Sequence, residues 1–171
     1  RADQSAGEDG ISSRIDRALA RARDRLRRLE PAAVPAAVNR GAVLVDIRPA
    51  AQRAFEGQLA GALVIERNVL EWRCDPTSDA RLAQATDDDV EWVVLCSQGY
   101  TSSLAAAALQ DLGLHRATYV VGGYQGLVQS GVLPTVTAAL ATAGSPGLPD
   151  HVAFPSSPWS IPLAAGSPPR R

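Results

Sequence analysis

The chain has 171 residues, 46% of them hydrophobic and 20% charged, with a formal net charge of -1. That is enough for one core of ordinary domain size, and a near-neutral balance gives no general attraction to nucleic acid or to an anionic membrane surface. Two cysteines cannot build a disulfide framework, and all 17 basic residues are arginine, which excludes chemistry that needs a lysine, such as a Schiff base or a P-loop.

Residues 1–10 are polar. From Ile11, apolar residues recur at Ile15, Leu19, Ala22, Leu26 and Leu29, a spacing that predicts an amphipathic helix. Arg14, Arg17, Arg21, Arg25 and Arg28 occupy much of its remaining surface. Between residues 11 and 30, seven arginines against Asp16, Asp24 and Glu30 leave an excess of four positive charges. That face could serve a nucleic acid, a membrane surface or an acidic partner, but a solvated outer face on a packed helix is the simpler reading.

From Pro31 to Pro134, short apolar runs alternate with helical segments. Residues 42–46, 62–65, 93–96 and 117–121 read as strands, and residues 31–39, 49–55, 68–72, 79–84, 101–112 and 124–130 as helices. This alternation predicts an α/β fold with a parallel sheet covered on both faces. Beyond Pro134 the composition turns to Pro, Gly, Ser and Ala, too poor in apolar surface to offset the cost of ordering. The expected organisation is an Arg-rich helical extension over 1–30, one domain over 31–134 and a disordered tail over 135–171.

Within that pattern Cys96 ends an apolar run, Trp92-Val93-Val94-Leu95, and opens the turn Ser97-Gln98-Gly99-Tyr100-Thr101-Ser102 before an Ala-rich helix. Ligands of parallel sheets bind outside the carboxyl ends of the strands. A helix N-terminus there favours negative charge, which suits a nucleophilic thiolate. Asp46 ends an earlier strand and falls on the same edge. Cys74 precedes Asp75-Pro76-Thr77, a turn signal that predicts a surface position and a bystander role. Neither His115 nor His151 is placed as a general base. No metal-ligand spacing, dinucleotide fingerprint or run of roughly 18 apolar residues appears, so no cofactor, metal or membrane span is expected. With no signal-peptide core and two unpaired cysteines, a reducing cytoplasm is the expected compartment.

Four blocks taken in order, Leu44-Val45-Asp46-Ile47-Arg48, Glu56-Gly57-Gln58-Leu59-Ala60-Gly61-Ala62, Cys96-Ser97-Gln98-Gly99-Tyr100-Thr101-Ser102 and Val121-Gly122-Gly123-Tyr124, resemble the signature of single-domain rhodanese-like sulfurtransferases. The resemblance implies a sheet of about five parallel strands with helices on both faces. It implies that Cys96 takes the outer sulfur of a donor such as thiosulfate or 3-mercaptopyruvate, becomes a persulfide, and passes the sulfur to cyanide or another thiol. Ser97, Gln98, Gly99, Tyr100, Thr101 and Ser102 become the anion-binding loop. Thr101 or Ser102 is expected to cap the following helix, Asp46 and Arg48 to brace the edge or equally to form a plain surface salt bridge, and Gly122 and Gly123 to form a tight turn.

Three positions depart from the family pattern. Many thiosulfate-using members carry a cation at the place of Thr101, Gln58 stands where His is common, and Ala60 replaces a proline. A cysteine phosphatase would need an arginine six residues after Cys96, where Ser102 stands. The competing reading is a catalytically weak or inactive module of the same fold that binds a partner.

Overall fold

Ser13 begins the first helix, α1 (Arg14–Asp24), through a reciprocal cap. Its Oγ accepts from the Asp16 N–H at 3.1 Å, and the Asp16 carboxylate accepts from the Ser13 N–H at 3.1 Å. The computed structural model describes residues 13–144, so Ile11 and the expected tail beyond residue 144 lie outside the described residues. Leu19 and Ala22 of α1 are buried, whereas Ile15 is 54% exposed. The expected helix to Leu29 stops earlier. Leu29 instead lies beside Val120 as an isolated parallel bridge, giving its N–H to Tyr119 O and accepting from the Val121 N–H. Pairing there satisfies backbone groups at the sheet edge, which outweighs a local helical preference.

The remaining elements follow in chain order. After a short 3-10 turn come α2 (Val34–Asn39), β1 (Val43–Asp46), α3 (Ala50–Glu56), β2 (Leu63–Val64), α4 (Leu70–Cys74), β3 (Trp92–Leu95), α5 (Thr101–Asp111), β4 (Thr118–Tyr119), α6 (Gly123–Gln129) and α7 (Leu133–Thr142). The strands form a parallel sheet in the order β2-β1-β3-β4, with the Leu29 bridge beyond β4. Four strands and that bridge stand where about five strands were expected.

Alternation along the strands sorts the core into two clusters. Val45, Trp92, Val94 and Tyr119 join Leu70, Cys74, Ala105, Ala106 and Leu109 on one face; Leu44, Val93, Leu95 and Val120 join Val34, Val38, Leu127, Val136 and Leu140 on the other. Successive strand side chains point to opposite faces, so an all-apolar strand requires cover on both. Helix α5 also packs against α1, and α2 against α7.

Three expectations need correction here. Residues 79–84 form turns and not a helix: Ser78 Oγ accepts the Ala80 N–H and Arg73 Nη1 donates to Ala80 O, local bonds that compete with helix formation. Pro134 does not end the ordered chain but sits in the first turn of α7, where a missing N–H costs nothing; Val136, Ala139 and Leu140 are buried, so the tail expected from residue 135 begins as a packed helix. Cys74 is fully buried and not at the surface, because it forms the last turn of α4 and faces the core. Burial, with the charge of Glu71 nearby, pushes its thiol up to about 12.

Candidate functional site

The chain leaves β1 for β2 on one side and reaches β3 on the other, so the strand order reverses between β1 and β3. Asp46 ends β1 and Cys96 follows β3, which puts both at the switch point of the sheet's carboxyl edge. A cleft of about 330 Å3 opens there. Its lining includes Arg48, Glu56, Cys96, Ser97, Thr101 and Gln125.

Cys96 is 5% exposed. The Gly99 N–H donates to its Sγ at 3.1 Å, and Ser102 Oγ lies 3.1 Å from the same sulfur. A thiol can donate to that hydroxyl, and a thiolate can accept from it, so Ser102 serves either protonation state. Helix α5 starts at Thr101, behind the sulfur, and no side chain caps it. The capping role expected of Thr101 or Ser102 is therefore not taken up: Ser102 is fully buried and turned onto Sγ, while Thr101 is exposed at the cleft. Gln98 and Tyr100 are exposed, and Ser97 is directed away to Glu56.

The loop is held from behind by the start of α6. The Tyr124 N–H donates to Cys96 O at 2.8 Å and the Gln125 N–H to Ser97 O at 3.0 Å. This close approach requires Gly123, at φ +60°, since a Cβ would come within 2.7 Å of the Ser97 carbonyl. Gly99, at φ +81°, turns its N–H to the sulfur while its own Cβ position lies 2.9 Å from Gly122 N.

Below the cleft, Asp46 and Arg48 are each 1% exposed, so they form an internal pair and not a surface salt bridge. Arg48 Nη2 donates to Asp46 at 2.7 Å and to Gly57 O at 3.0 Å, Nε donates to Asp46 at 3.0 Å, and Nη1 donates to Glu56 at 3.0 Å. The guanidinium also lies 3.9 Å from the centroid of the Tyr124 ring. Burial acts to lower the Arg48 pKa, but the hydrogen bonds to Asp46 and Glu56 outweigh it and the net direction is upward. The fork is committed to the protein.

Glu56 links this pair to the loop. It accepts from Ser97 Oγ at 2.6 Å and from Gln125 Nε2 at 3.2 Å as well as from Arg48. Burial pushes its pKa up, yet the bonds from Ser97, Arg48 and Gln125 prevail and hold it below the usual value. A carboxyl with a lowered folded pKa contributes stability that is present above its unfolded value and lost as pH falls through the folded one. Acid unfolding below about pH 4.5 is therefore expected to be shallower in Glu56→Gln than in the parent, measured as the slope of stability against pH.

A cation does reach the loop, from outside it. Arg23 on α1, 76 residues before Gly99, donates through Nη2 to Gly99 O at 3.2 Å and lies 5.3 Å from the centroid of the Tyr100 ring. It does not line the cleft. Sequence reading missed Arg23, Glu56 and Gln125 as neighbours of the thiol. Glu56 lay inside one of the four signature blocks, but for Arg23 the only signal was a general excess of arginine.

Among the described residues, no group of three or more His, Cys, Asp or Glu is placed to hold a metal, and no helix is long and apolar enough to cross a membrane. Both cysteines are free.

Comparison with curated proteins gives no match. Among solved structures, the chain is similar to a protein of unknown function from Rhodopseudomonas palustris, described as a possible tyrosine phosphatase, with 29% identity and a TM-score of 0.62 over 71% of this chain and 93% of that one. A rhodanese homologue from Thermus thermophilus is 24% identical with a TM-score of 0.44, covering 59% of this chain and 100% of that one. A rhodanese-related protein from Thermoplasma volcanium is 23% identical with a TM-score of 0.47, covering 61% and 93%. The rhodanese-like domain family matches residues 30–130, more than half of the 171 residues, and the chain belongs to that family.

Proposed function

We propose that this protein is a sulfurtransferase that carries sulfane sulfur as a persulfide on Cys96. The observation that carries the reading is the placement of Cys96 in the lining of a cleft, with the Gly99 N–H and Ser102 Oγ each 3.1 Å from Sγ and a helix N-terminus behind it. These groups stabilise negative charge on sulfur, whether it is the attacking thiolate or the terminal sulfur of the persulfide. The thiolate attacks the outer sulfur of the donor, forming an S–S bond. The bond to the donor's leaving group breaks, and sulfite or the pyruvate enolate departs with the electron pair. An acceptor thiolate or cyanide then attacks the terminal sulfur and returns Cys96 as a thiolate. A reducing compartment such as the cytoplasm suits a carrier thiol that must be free between turnovers.

The charges lining the cleft bear on the donor. Among the described residues, Arg48 and Glu56 are the ionised side chains of the lining, and they pair with each other. Thiosulfate, with two negative charges, finds no uncommitted guanidinium there, whereas mercaptopyruvate brings one carboxylate. The donor of lower charge is favoured.

A phosphatase reading, suggested by what is said of the Rhodopseudomonas protein, has less support. Phosphoryl transfer requires a clamp on the equatorial oxygens. Ser102 stands where the loop arginine would be, and the Arg48 fork is spent on Asp46, Glu56 and Gly57.

Intact-mass analysis after incubation with each donor tests the proposal. One added sulfur on Cys96, formed faster from mercaptopyruvate than from thiosulfate at equal concentration and discharged by cyanide, is the expected result. No added sulfur from either donor would leave the binding module as the function.

A further inference from the structure

A charged cavity lies at the opposite edge of the sheet from Cys96. It measures about 470 Å3 and is lined by Arg27, Arg28, Arg40, Arg116, Glu91 and His115, together with Leu29 and Thr118. These residues come from four separated segments. Arg27 and Arg28 follow α1, Arg40 follows α2, Glu91 precedes β3, and His115 and Arg116 precede β4. All lie toward the amino ends of the strands.

Four guanidiniums against one carboxylate leave an excess of three positive charges in the lining. Glu91 is shared: its carboxylate accepts from Arg40 Nε at 3.0 Å, from Arg40 Nη2, and from Arg116 Nη2 at 3.1 Å. One carboxylate thus orients two arginines without neutralising both. Arg116 is held further by donation from Nη1 to Asp89 O at 3.0 Å, and Asp89 also meets His115 Nε2 at 3.1 Å. Among the described residues, no carboxylate forms an ion pair with Arg27 or Arg28.

We propose that this cavity is a binding site for a small polyanion of the diphosphate class. Arginine forks pair bidentately with phosphate oxygens: the Arg27 and Arg28 forks match two linked phosphoryl groups, while Arg40 and Arg116, held by Glu91 and Asp89, add positive charge to the wall. The cavity volume falls within the ordinary range for small-molecule sites. The arginine excess of the first segment finds a use here without reference to Cys96, so the proposal does not rest on sulfur transfer.

Calorimetric titration of the full chain with inorganic pyrophosphate at low ionic strength tests it. Saturable one-to-one binding is expected, weakened about tenfold or more in the double variant Arg27→Gln/Arg28→Gln. These two side chains hold no ion pair among the described residues, so the variant is expected to keep its fold, which its melting temperature checks. The control Arg14→Gln/Arg21→Gln removes the same formal charge from exposed positions on α1 and is expected to leave affinity within about twofold of the parent. Absence of saturable binding, equal weakening by both double variants, binding of citrate in place of pyrophosphate, or tighter binding of a single-stranded oligonucleotide would each overturn the assignment. Persulfide formation on Cys96 is read separately by mass, so failure of either proposal is distinguishable from failure of the other.

Discussion

Cys96→Ser is expected to reduce sulfur transfer to the uncatalysed background while leaving the fold in place. A serine hydroxyl cannot become a sulfur carrier, so the loss is complete and not graded. The same partners that surround Sγ, the Gly99 N–H and the Ser102 hydroxyl, can pair with a serine Oγ, so the site has somewhere to place the new polar group. Cys74→Ser is expected to behave in the opposite way. Cys74 is fully buried in the core cluster with Leu70, Trp92 and Leu109, and a hydroxyl there costs about 1–3 kcal/mol of stability if it finds no partner. Its thiol, pushed up to about 12, is protonated at neutral pH and unsuited to resolving a persulfide. Transfer per folded molecule is expected to be unchanged in Cys74→Ser. Transfer assays and denaturant titrations on the two variants read both effects, and residual turnover in Cys96→Ser would remove Cys96 as the carrier.

Arg48→Ala is expected to destabilise the protein by about 3–5 kcal/mol, the usual cost of removing one partner from a buried ion pair. The substitution leaves the Asp46 carboxylate, which is 1% exposed, without its counter-charge, removes the side-chain donor to Gly57 O, and leaves Glu56 with Ser97 and Gln125 but no cation. It also removes the cation stacked on Tyr124. Because the penalty comes from uncompensated charge, Asp46→Asn combined with Arg48→Met is expected to be more stable than Arg48→Ala alone. Thermal and denaturant unfolding measure this series. A loss below about 1 kcal/mol in Arg48→Ala would place the pair in the class of weak surface bridges and contradict its burial.

Much of the architecture was legible before any coordinates. Strands β1 and β3 were visible because they are short runs of aliphatic and aromatic residues that only a sheet covered on both faces can bury. Cys96 was visible because a thiol at the end of such a run, before a Gly-containing turn, falls at the carboxyl edge. The ordered blocks around Asp46, Glu56, Cys96 and Gly123 carried the family. Less legible were elements whose fate depends on distant partners. Leu29 fits a helical stripe but pairs with Val120; Pro134 looks like a terminator but opens a helix whose apolar side is covered by α2; Cys74 precedes a polar turn signal yet faces the core.

The sequence by itself determined the local choices: which runs alternate with period two, which segments coil, where glycine permits a turn, and which thiol ends a buried strand. These depend on neighbours a few residues away, and steric and hydrogen-bonding preferences act at that range. Only the tertiary structure decided that Glu56 ties the Cys96 loop to the Arg48 pair, that Arg23 grips the loop from 76 residues upstream, and that arginines from separate segments converge on one cavity. Those are contacts between groups far apart in the chain, set by how helices pack on the two faces of the sheet, and no spacing within the sequence encodes the distance between them.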